Sequence, residues 1–427
     1  MMSLPRFFSS AFKGFEVVDV KERLAEGRID LHLRGREDRL WHCHRCGSPL
    51  APAKAGGKYA VRIESMPIMG FRVFVFFWRE RGHCARCGKV RAERIEWIAE
   101  ETPHLSQDYA WWLGRLCEIA AVSRVAEMFE RDETSLWRLD LARMRRMLSR
   151  YKIPESTAIS VDEVYARKRP RHRGESRDER FFTVISDLKT HRVIWVAESR
   201  RKEALDQFFI LIGKEACKKI EVVASDQHEG YAASIAQHVP QAIHVWDKFH
   251  LMQVFTEAVN ETRKSLHEEQ ARGSILAERT RGQYRFLFVK KADRRTKEEK
   301  AHLDEVLLAN RQFTKLELIK ERMLSFFDCQ TEEEAKHVWN EVGDWIFQAG
   351  FGSLMRWYRS LDSQWKRLAN YFRFRVTSAL SEGINNVIKT LKRRAYGYKN
   401  MEYFRLKILQ QCGYLNSRYI PVPALLS

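Results

Sequence analysis

The pattern of hydrophobic positions changes at Pro154, where short β-rich runs replace helical spacing. Five such runs lie between residues 158 and 246, and each is short enough to be a strand. They are Ala158–Ala166, Arg180–Ser186, Arg192–Ala197, Ile220–Asp226 and Ala242–Trp246. Amphipathic spacing from Lys202 to Lys218 and from Tyr231 to His238 predicts two helices between the last three strands. The predicted order is therefore β-β-β-α-β-α-β.

This order is that of a ribonuclease-H-like α/β core, which we assign to residues 154–250. Hydrophobic residues then keep helical spacing for a long stretch, beginning with Leu251, Val254 and Phe255. We therefore predict an all-helical insertion over residues 251–372. Residues 373–427 are expected to complete the core with a final acidic helix and a C-terminal tail. The chain is thus predicted to be a multidomain α+β protein.

Residues 100–153, which precede the core, also show helical spacing. One helical stretch includes Ala120–Phe129, and a second helix is predicted to begin at Ser135, with the serine as its cap. A short helix, a turn and a basic second helix form the arrangement of a helix-turn-helix DNA-binding domain. The alternative is that the same spacing only packs three helices together.

Four of the eight cysteines form two pairs with the same spacing, namely Cys43 with Cys46 and Cys84 with Cys87. A glycine follows each pair and permits a tight turn, so that four thiolates can surround one ion. This is a ligand set of structural Zn²⁺, and we predict a zinc ribbon within residues 1–99. Two disulfides are the alternative. Adjacent histidines are further candidate ligands, with solvated side chains as the alternative, at His42, His44 and His83.

Three acidic residues stand where their carboxylates can converge. Asp162 lies inside the first predicted strand, Asp226 ends the fourth, and Glu382 lies on a helix rich in cations. A buried carboxylate is costly without a partner, and Mg²⁺ prefers oxygen ligands. The three residues therefore predict a site for hard divalent cations that can promote phosphoryl transfer. For any one of them, the alternative is an ordinary surface or capping carboxylate.

Lysine and arginine outnumber aspartate and glutamate by 75 to 56, which gives a net charge of +19. This charge favours a polyanionic partner, with nucleic acid as the first candidate and a generically basic protein as the alternative. The candidate DNA-binding cations form two groups. They are Arg138, Arg143, Arg145 and Arg146 before the core, and Lys389, Lys392, Arg393 and Arg394 after Glu382. For the second group, a solvated helix face is the alternative.

No hydrophobic run approaches the ~18 residues of a membrane span. Arg6 and Lys13 also interrupt the N-terminal segment before a signal-like core can form. We therefore expect a cytoplasmic protein with no membrane partner.

Taken together, these motifs resemble the ISL-three family of bacterial insertion-sequence transposases. The resemblance covers nearly the whole chain, and its most specific part runs from Glu382 to Tyr398. It implies that Asp162, Asp226 and Glu382 are a DDE triad. Asp247 and His250 resemble an auxiliary motif of related transposases, although His250 could equally cap or brace a helix.

The resemblance also implies an activity and its partners. The ribbon and helix-turn-helix would bind the terminal inverted repeats of double-stranded DNA. The triad would hold two Mg²⁺ ions, with Mn²⁺ as a substitute, for cleavage and strand transfer. Paired ends imply a homodimer or a higher oligomer on DNA, associated with the bacterial nucleoid.

Two other classes of function remain open at this point. One is a ribonuclease-H-like nuclease or resolvase that cleaves without joining, and a strand-transfer assay discriminates it. The other is a domesticated zinc-ribbon and helix-turn-helix regulator, although such a binding protein has no use for buried carboxylates.

Overall fold

The structure is a computed structural model that describes residues 11–52, 57–167, 174–270, 274–375, 379–395, 397–416 and 418. The chain forms two compact units. The first contains the residues up to Lys152 together with those from Arg393 onward, and the second is Ile153–Lys392. The ends of the predicted first and last segments, 1–10 and 419–427, lie outside the described residues.

The strands and helices are numbered along the chain. The strands are β1 Phe15–Arg23, β2 Arg28–Gly35, β3 Ala51–Pro52, β4 Lys58–Ile68, β5 Phe71–Cys84, β6 Lys89–Ala92, β7 Ala158–Tyr165, β8 Phe181–Asp187, β9 Arg192–Glu198, β10 Val222–Ser225 and β11 Ile243–Trp246. The helices are α1 Gln107–Ile119, α2 Val122–Met128, α3 Glu133–Leu148, α4 Lys202–Lys218, α5 Glu229–His238, α6 Lys248–Glu268, α7 Ile275–Arg279, α8 Lys297–Ala309, α9 Arg311–Phe326, α10 Glu332–Ala349, α11 Gly352–Asp362, α12 Trp365–Phe374, α13 Ala379–Arg394 and α14 Met401–Cys412.

The first unit begins with a mixed sheet built around β5. Strand β5 pairs with β2 in parallel and with β3, β4 and β6 in antiparallel orientation, while β1 pairs with β2. Alternate residues of β5 are buried, namely Val73, Val75 and Phe77, because successive side chains of a strand point to opposite faces. They pack in a core with Phe15 and Trp97.

The second predicted helix of the first unit begins two residues earlier than expected. Helix α3 starts at Glu133, and the side chain of Asp132 accepts a hydrogen bond from the Ser135 amide over 2.7 Å. The prediction of a serine cap at Ser135 is therefore wrong. Aspartate is an effective N-cap, and its carboxylate also favours the positive end of the helix dipole.

The C-terminal helix belongs to the first unit rather than to the core that precedes it. On α14, the Tyr403 hydroxyl donates to Asp140 Oδ2 over 2.7 Å, and Lys407 Nζ lies 2.7 Å from the same oxygen. Lys407 also donates to the Cys117 carbonyl over 2.6 Å. The predicted segment 373–427 is therefore divided between the two units, because α14 is held by hydrogen bonds to buried partners on α1 and α3.

The second unit contains the predicted order of strands and helices. Its sheet has the order β11-β10-β7-β8-β9. Strands β7, β8 and β9 form an antiparallel meander, whereas β10 runs parallel to β7, and β11 runs parallel to β10. The element predictions for residues 158–246 are confirmed.

Helices α6 to α12 form a large hydrophobic core beside β10 and β11. Trp339 and Phe313 lie at the centre of this core and are fully buried. Helix α12 covers the edge strand, where the side-chain amide of Asn370 donates to the His244 carbonyl over 2.9 Å. The helical nature of residues 251–372 is thus confirmed, and buried aromatic residues form much of the core of this segment.

Candidate active site and metal centre

Two of the predicted carboxylates are neighbours because their strands are paired in parallel. The register aligns Ser225 of β10 with Val161 of β7, so the next residues, Asp226 and Asp162, come side by side. Asp162 is only 9% exposed. Burial raises the pKa of Asp226, and the nearby charge of Asp162 raises it further. A buried carboxylate beside a half-buried one creates a demand for positive charge.

His250 supplies part of that charge from the first turn of α6. Its Nε2 lies 3.7 Å from Asp162 Oδ1 and 3.8 Å from Asp247 Oδ2. The interaction with the Asp162 carboxylate is the largest of the effects that raise the pKa of His250 to about 9. Asp247 also caps α6, since it accepts from the Phe249 amide over 2.9 Å. Asp247 thus caps α6, while His250 contacts the carboxylates of Asp162 and Asp247.

Helix α13 reaches the same strand through Asn385. The side-chain amide of Asn385 donates to Asp162 Oδ2 over 2.8 Å. Glu382 precedes Asn385 by three residues, so it lies about one turn away on the same helix, and it is exposed. The structure therefore joins the helix of Glu382 to Asp162, but the Glu382 carboxylate is not gathered against the two aspartates. Among the described residues, only four cysteines form a group of ligand atoms within 4.8 Å of one another.

An arginine–carboxylate group that could not be recognised from the sequence includes Glu163, the residue next to Asp162. Arg200 donates to the Glu163 carboxylate over 2.9 Å and to Asp178 over 2.7 Å. Burial raises the pKa of Glu163, and the charge of Asp226 contributes to the shift. The acid that directly follows Asp162 is thus paired with a fixed cation. The signal in the sequence was weak, because Arg200 lies in a loop with no motif.

The four paired cysteines form a compact sulfur cluster. The Sγ atoms of Cys46 and Cys84 lie 3.4 Å apart, those of Cys46 and Cys87 3.6 Å, and those of Cys43 and Cys87 3.9 Å. Sulfurs placed about 2.3 Å from one tetrahedral Zn²⁺ would lie about 3.8 Å apart, whereas a disulfide needs about 2.05 Å. The cluster is compatible with a zinc ribbon, and all four cysteines are free thiols.

The local backbone explains why the cysteine pairs converge. Gly47 and Gly88 have φ values of 72° and 64°, which a residue with a side chain adopts at a cost. Their amides donate to the carbonyls of Cys43 and Cys84 over 2.9 Å in both turns. Hydrogen bonds from Ser48 lower the pKa of Cys46 to about 6. Hydrogen bonding with neighbouring sulfurs, Cys46 above all, raises the pKa of Cys87 to about 11, and a bound cation would favour its thiolate.

None of the three candidate histidines is a member of the sulfur cluster. His42, His44 and His83 are exposed. The Nδ1 of His44 instead lies 3.1 Å from the Ala92 carbonyl.

The structure separates the four candidate arginines of α3 into different environments. Arg143 is 3% exposed, donates to Glu118 over 2.8 Å and contacts Asp140 at 3.5 Å. It occupies space left by Gly114, where an added Cβ would lie 2.5 Å from the Arg143 side chain. The prediction that Arg143 contacts DNA therefore conflicts with its burial.

The other three arginines of α3 reach the surface. Arg145 is exposed and donates to Glu402 over 2.7 Å, while Arg146 pairs with Glu101. Arg138 is exposed near the N-terminal half of α3. These residues remain candidate DNA contacts.

The cations of α13 are also of two kinds. Lys389, Arg393 and Arg394 are exposed. Lys392 is half-buried and donates to the Tyr165 carbonyl over 3.0 Å. Lys392 thus braces the end of β7, and the other three cations are better placed to meet a ligand.

Comparison with known proteins identifies the family of the chain. The model of the DDE transposase family ISL3, described as a transposase, matches residues 159–408. The chain is 28% identical over 367 residues to the transposase for insertion sequence element IS1001 of Bordetella parapertussis, which covers 86% of this chain and 87% of that protein. It is 24% identical over 247 residues to the transposase for insertion sequence element IS1557 of Mycobacterium tuberculosis, with 57% and 53% of the two chains covered.

These similarities define the protein as a transposase, an enzyme that acts on DNA. The chain belongs to the ISL3 family of DDE transposases. Membership implies the use of divalent metal ions. No helix in the part of the chain that the structure describes is long and apolar enough to cross a membrane.

Proposed function

We propose that this transposase cleaves and joins DNA in a ribonuclease-H-like core through Asp162, Asp226 and Glu382. The observation that carries the proposal is the alignment of Asp162 with Asp226, together with the hydrogen bond from Asn385 on the helix of Glu382. The sheet order supports it, because the first strand of the meander, β7, lies centrally and bears Asp162.

The donor set fits Mg²⁺, because carboxylate oxygens are hard ligands and the paired strands bring Asp162 and Asp226 side by side. Asp162, Asp226 and Glu382 would hold two ions, and Mn²⁺ would substitute. Bound Mg²⁺ stabilises charge on the attacking and leaving oxygens of an in-line phosphoryl displacement. The chain itself supplies the ligands and their orientation, with Asn385 fixing one oxygen of Asp162.

The front of the chain would supply specificity for the terminal inverted repeats. We assign the four-cysteine cluster to a zinc ribbon, since its sulfur spacing matches a tetrahedral site, and α1 to α3 to a helix-turn-helix domain. Arg138, Arg145 and Arg146 would contact DNA from α3. The segments 1–99, 100–153 and 154–250 remain our proposed domains, followed by the helical insertion and the α13 segment.

The working form would be a homodimer or a higher oligomer. An insertion element has two ends, and joining both to one target requires one active site for each end. DNA-dependent association, measured by sedimentation with and without an end-containing duplex, tests this part.

The test of catalysis uses Asp162→Asn, Asp226→Asn and Glu382→Gln in the full chain. Each change removes a ligand charge while keeping the shape of the side chain. Magnesium-dependent cleavage and joining of a labelled end should fall by about a hundredfold or more, with end binding retained. The exposed Glu229→Gln variant, three residues after Asp226, is the matched control and should retain activity.

The same assay separates the rival functions. Near wild-type cleavage in one variant would remove that residue from the site. Cleavage by the wild-type protein without any strand transfer would indicate a nuclease or resolvase, and end binding without cleavage would indicate a regulator.

A further inference from the structure

The outer face of the N-terminal sheet carries a row of aromatic side chains that the core does not explain. Phe74, Phe76 and Trp78 alternate along β5 with the buried residues of the same strand. Trp78 is 54% exposed, and the two phenylalanines are half-buried. Alternate residues on a strand lie about 6.8 Å apart, so the rings form a spaced row. We call these three residues and the cations that contact them the aromatic sheet face.

Cationic side chains surround this row. The Arg28 guanidinium lies 4.8 Å from the centre of the Phe74 ring, and those of Arg62 and Arg72 lie 5.3 Å from it. Lys58 Nζ lies 5.5 Å from the Trp78 ring. His32 stacks on Phe76, with ring centroids 5.1 Å apart and an interplanar angle of 16°. The face therefore presents flat, polarisable groups together with positive charge.

Buried carboxylates hold two of the arginines in place. Asp30, 2% exposed, accepts from Arg28 Nε over 2.5 Å and from Nη2 over 2.9 Å. Glu64, 5% exposed, accepts from Arg72 Nε over 3.0 Å and from Nη2 over 3.1 Å. Paired hydrogen bonds fix the plane of a guanidinium group. They also neutralise part of its charge, so this face suits the planes of bases as well as phosphates.

The aromatic sheet face adjoins the turn between α2 and α3. Arg72 reaches the Glu130 carboxylate at 3.4 Å, and Arg131 pairs with Glu64. A nucleic acid held by the helices of this unit would thus lie near the aromatic row. This continuity favours DNA over an unrelated partner.

We propose that the aromatic sheet face binds a single-stranded segment of DNA. Bases would stack on Trp78, Phe76 and the fixed guanidinium planes, while Arg62 and Lys58 would contact the phosphates. Unpaired bases expose the faces that such stacking needs, whereas a duplex keeps its bases stacked on one another. The proposal rests on the proposed binding of DNA by the helices of the first unit but not on the assignment of the catalytic residues.

The test compares Trp78→Ala and Phe76→Ala with the wild-type full chain, without added divalent cations. Fluorescence anisotropy would measure affinity for a labelled 20-nucleotide single strand of arbitrary sequence and for the matching duplex. The affinity of both variants for the single strand should be lower by a factor of about ten or more. Stacking of one base on an aromatic side chain contributes about 1–3 kcal/mol, and 1.4 kcal/mol corresponds to a factor of ten in affinity. Duplex affinity should change less than about twofold. Phe347→Ala is the matched control, since Phe347 is also exposed and has Arg359 5.2 Å from its ring.

A second measurement localises the contact. A single strand with 5-iodouracil should photo-crosslink to the β5 peptide in the wild-type protein and lose that crosslink in Trp78→Ala. Unchanged single-strand affinity, an equal loss for duplex, or no crosslink to β5 would overturn the proposal. If the variants changed the association state of the protein but kept their affinity for DNA, the face would be assigned to a protein partner, and the proposal would also be overturned.

Discussion

The side-chain amide of Asn385 and Oδ2 of Asp162 are joined by a hydrogen bond of 2.8 Å across 223 residues of sequence. This bond ties α13 to β7 one helical turn from Glu382. It therefore limits how far the proposed third ligand can lie from the first. A carboxylate oxygen that accepts this bond also has a fixed orientation.

Asn385→Ala should lower the rate of end cleavage about tenfold or more. A hydrogen bond to a charged group contributes about 1.5–3 kcal/mol, and 1.4 kcal/mol corresponds to a factor of ten. Single-turnover cleavage across a magnesium series measures both the maximal rate and the half-saturating Mg²⁺ concentration, which should rise. Val387→Ala, on the same helix and 45% exposed, is the control. Equal rates in the two variants would show that the bond has no role in cleavage.

The raised pKa of His250 predicts a pH-dependent stability. The pKa of His250 is about 9 in the folded protein, against an ordinary value of 6.5. Folding therefore favours the protonated imidazole. The stabilisation should be complete below about pH 6.5 and should disappear as pH rises through about 9, with a magnitude of about 1–2 kcal/mol. The melting temperature, measured from pH 6 to 9.5 without added Mg²⁺, should fall as the pH rises. The slope of melting temperature against pH should be smaller in His250→Gln. An unchanged slope in His250→Gln, as expected for the exposed control His337→Gln, would contradict the assignment.

The contrast between Arg138 and Arg143 can be tested with two alanine variants. Arg143→Ala removes the buried cation that pairs with Glu118 and contacts Asp140, so it should destabilise the first unit by about 3 kcal/mol. Arg138→Ala should leave the melting temperature unchanged and weaken end binding. Denaturant unfolding and anisotropy with an end duplex measure the two effects. A stable Arg143→Ala protein with weak DNA binding would restore the original prediction for Arg143.

The sulfur cluster predicts one zinc ion per chain. Cys43→Ser or Cys87→Ser should remove that ion, loosen the ribbon locally and weaken specific end binding, because metal affinity contributes to folding. Inductively coupled plasma mass spectrometry measures the metal. Cys329→Ser, outside the cluster, should keep the full zinc content. Wild-type protein purified without chelator and free of zinc would rule out the site.

The exposed cations of α13 predict phosphate contacts that do not depend on sequence. Lys389→Ala combined with Arg393→Ala should weaken binding to end DNA and to unrelated DNA alike. The slope of log affinity against log salt should become shallower by up to about 0.9 per lost contact. Lys392 is left intact because it braces Tyr165, and Lys214→Ala on α4 is an exposed control. If affinity fell for end DNA but not for unrelated DNA, these cations would not be sequence-independent phosphate contacts.

Strands with strong local patterns could be predicted from the sequence. Residues 158–246 contain β-branched runs, and the length and spacing of these runs are a local property of the sequence. The strands of the structure lie where these runs predict them. The two aspartates were found because each stands at a fixed point of such a run. Their alignment then follows from parallel pairing.

Long-range partners could not be predicted in the same way. Arg143 looked like an exposed cation, although it lies four residues after Leu139 and four before Met147, on the buried face of α3. Helical spacing alone could have signalled that burial. The place of α14 had no local signal, because its partners lie on helices more than 250 residues away.

The place of α14 also bears on how the protein is made. The Asp140 side chain leaves the ribosome 263 residues before the Tyr403 hydroxyl that it binds. A nascent or prematurely terminated chain therefore lacks two partners of a fully buried carboxylate. Only a chain that has been synthesised through α14 can complete the helical part of the first unit, so the proposed DNA-binding helices would be completed only after the proposed catalytic residues have also been synthesised.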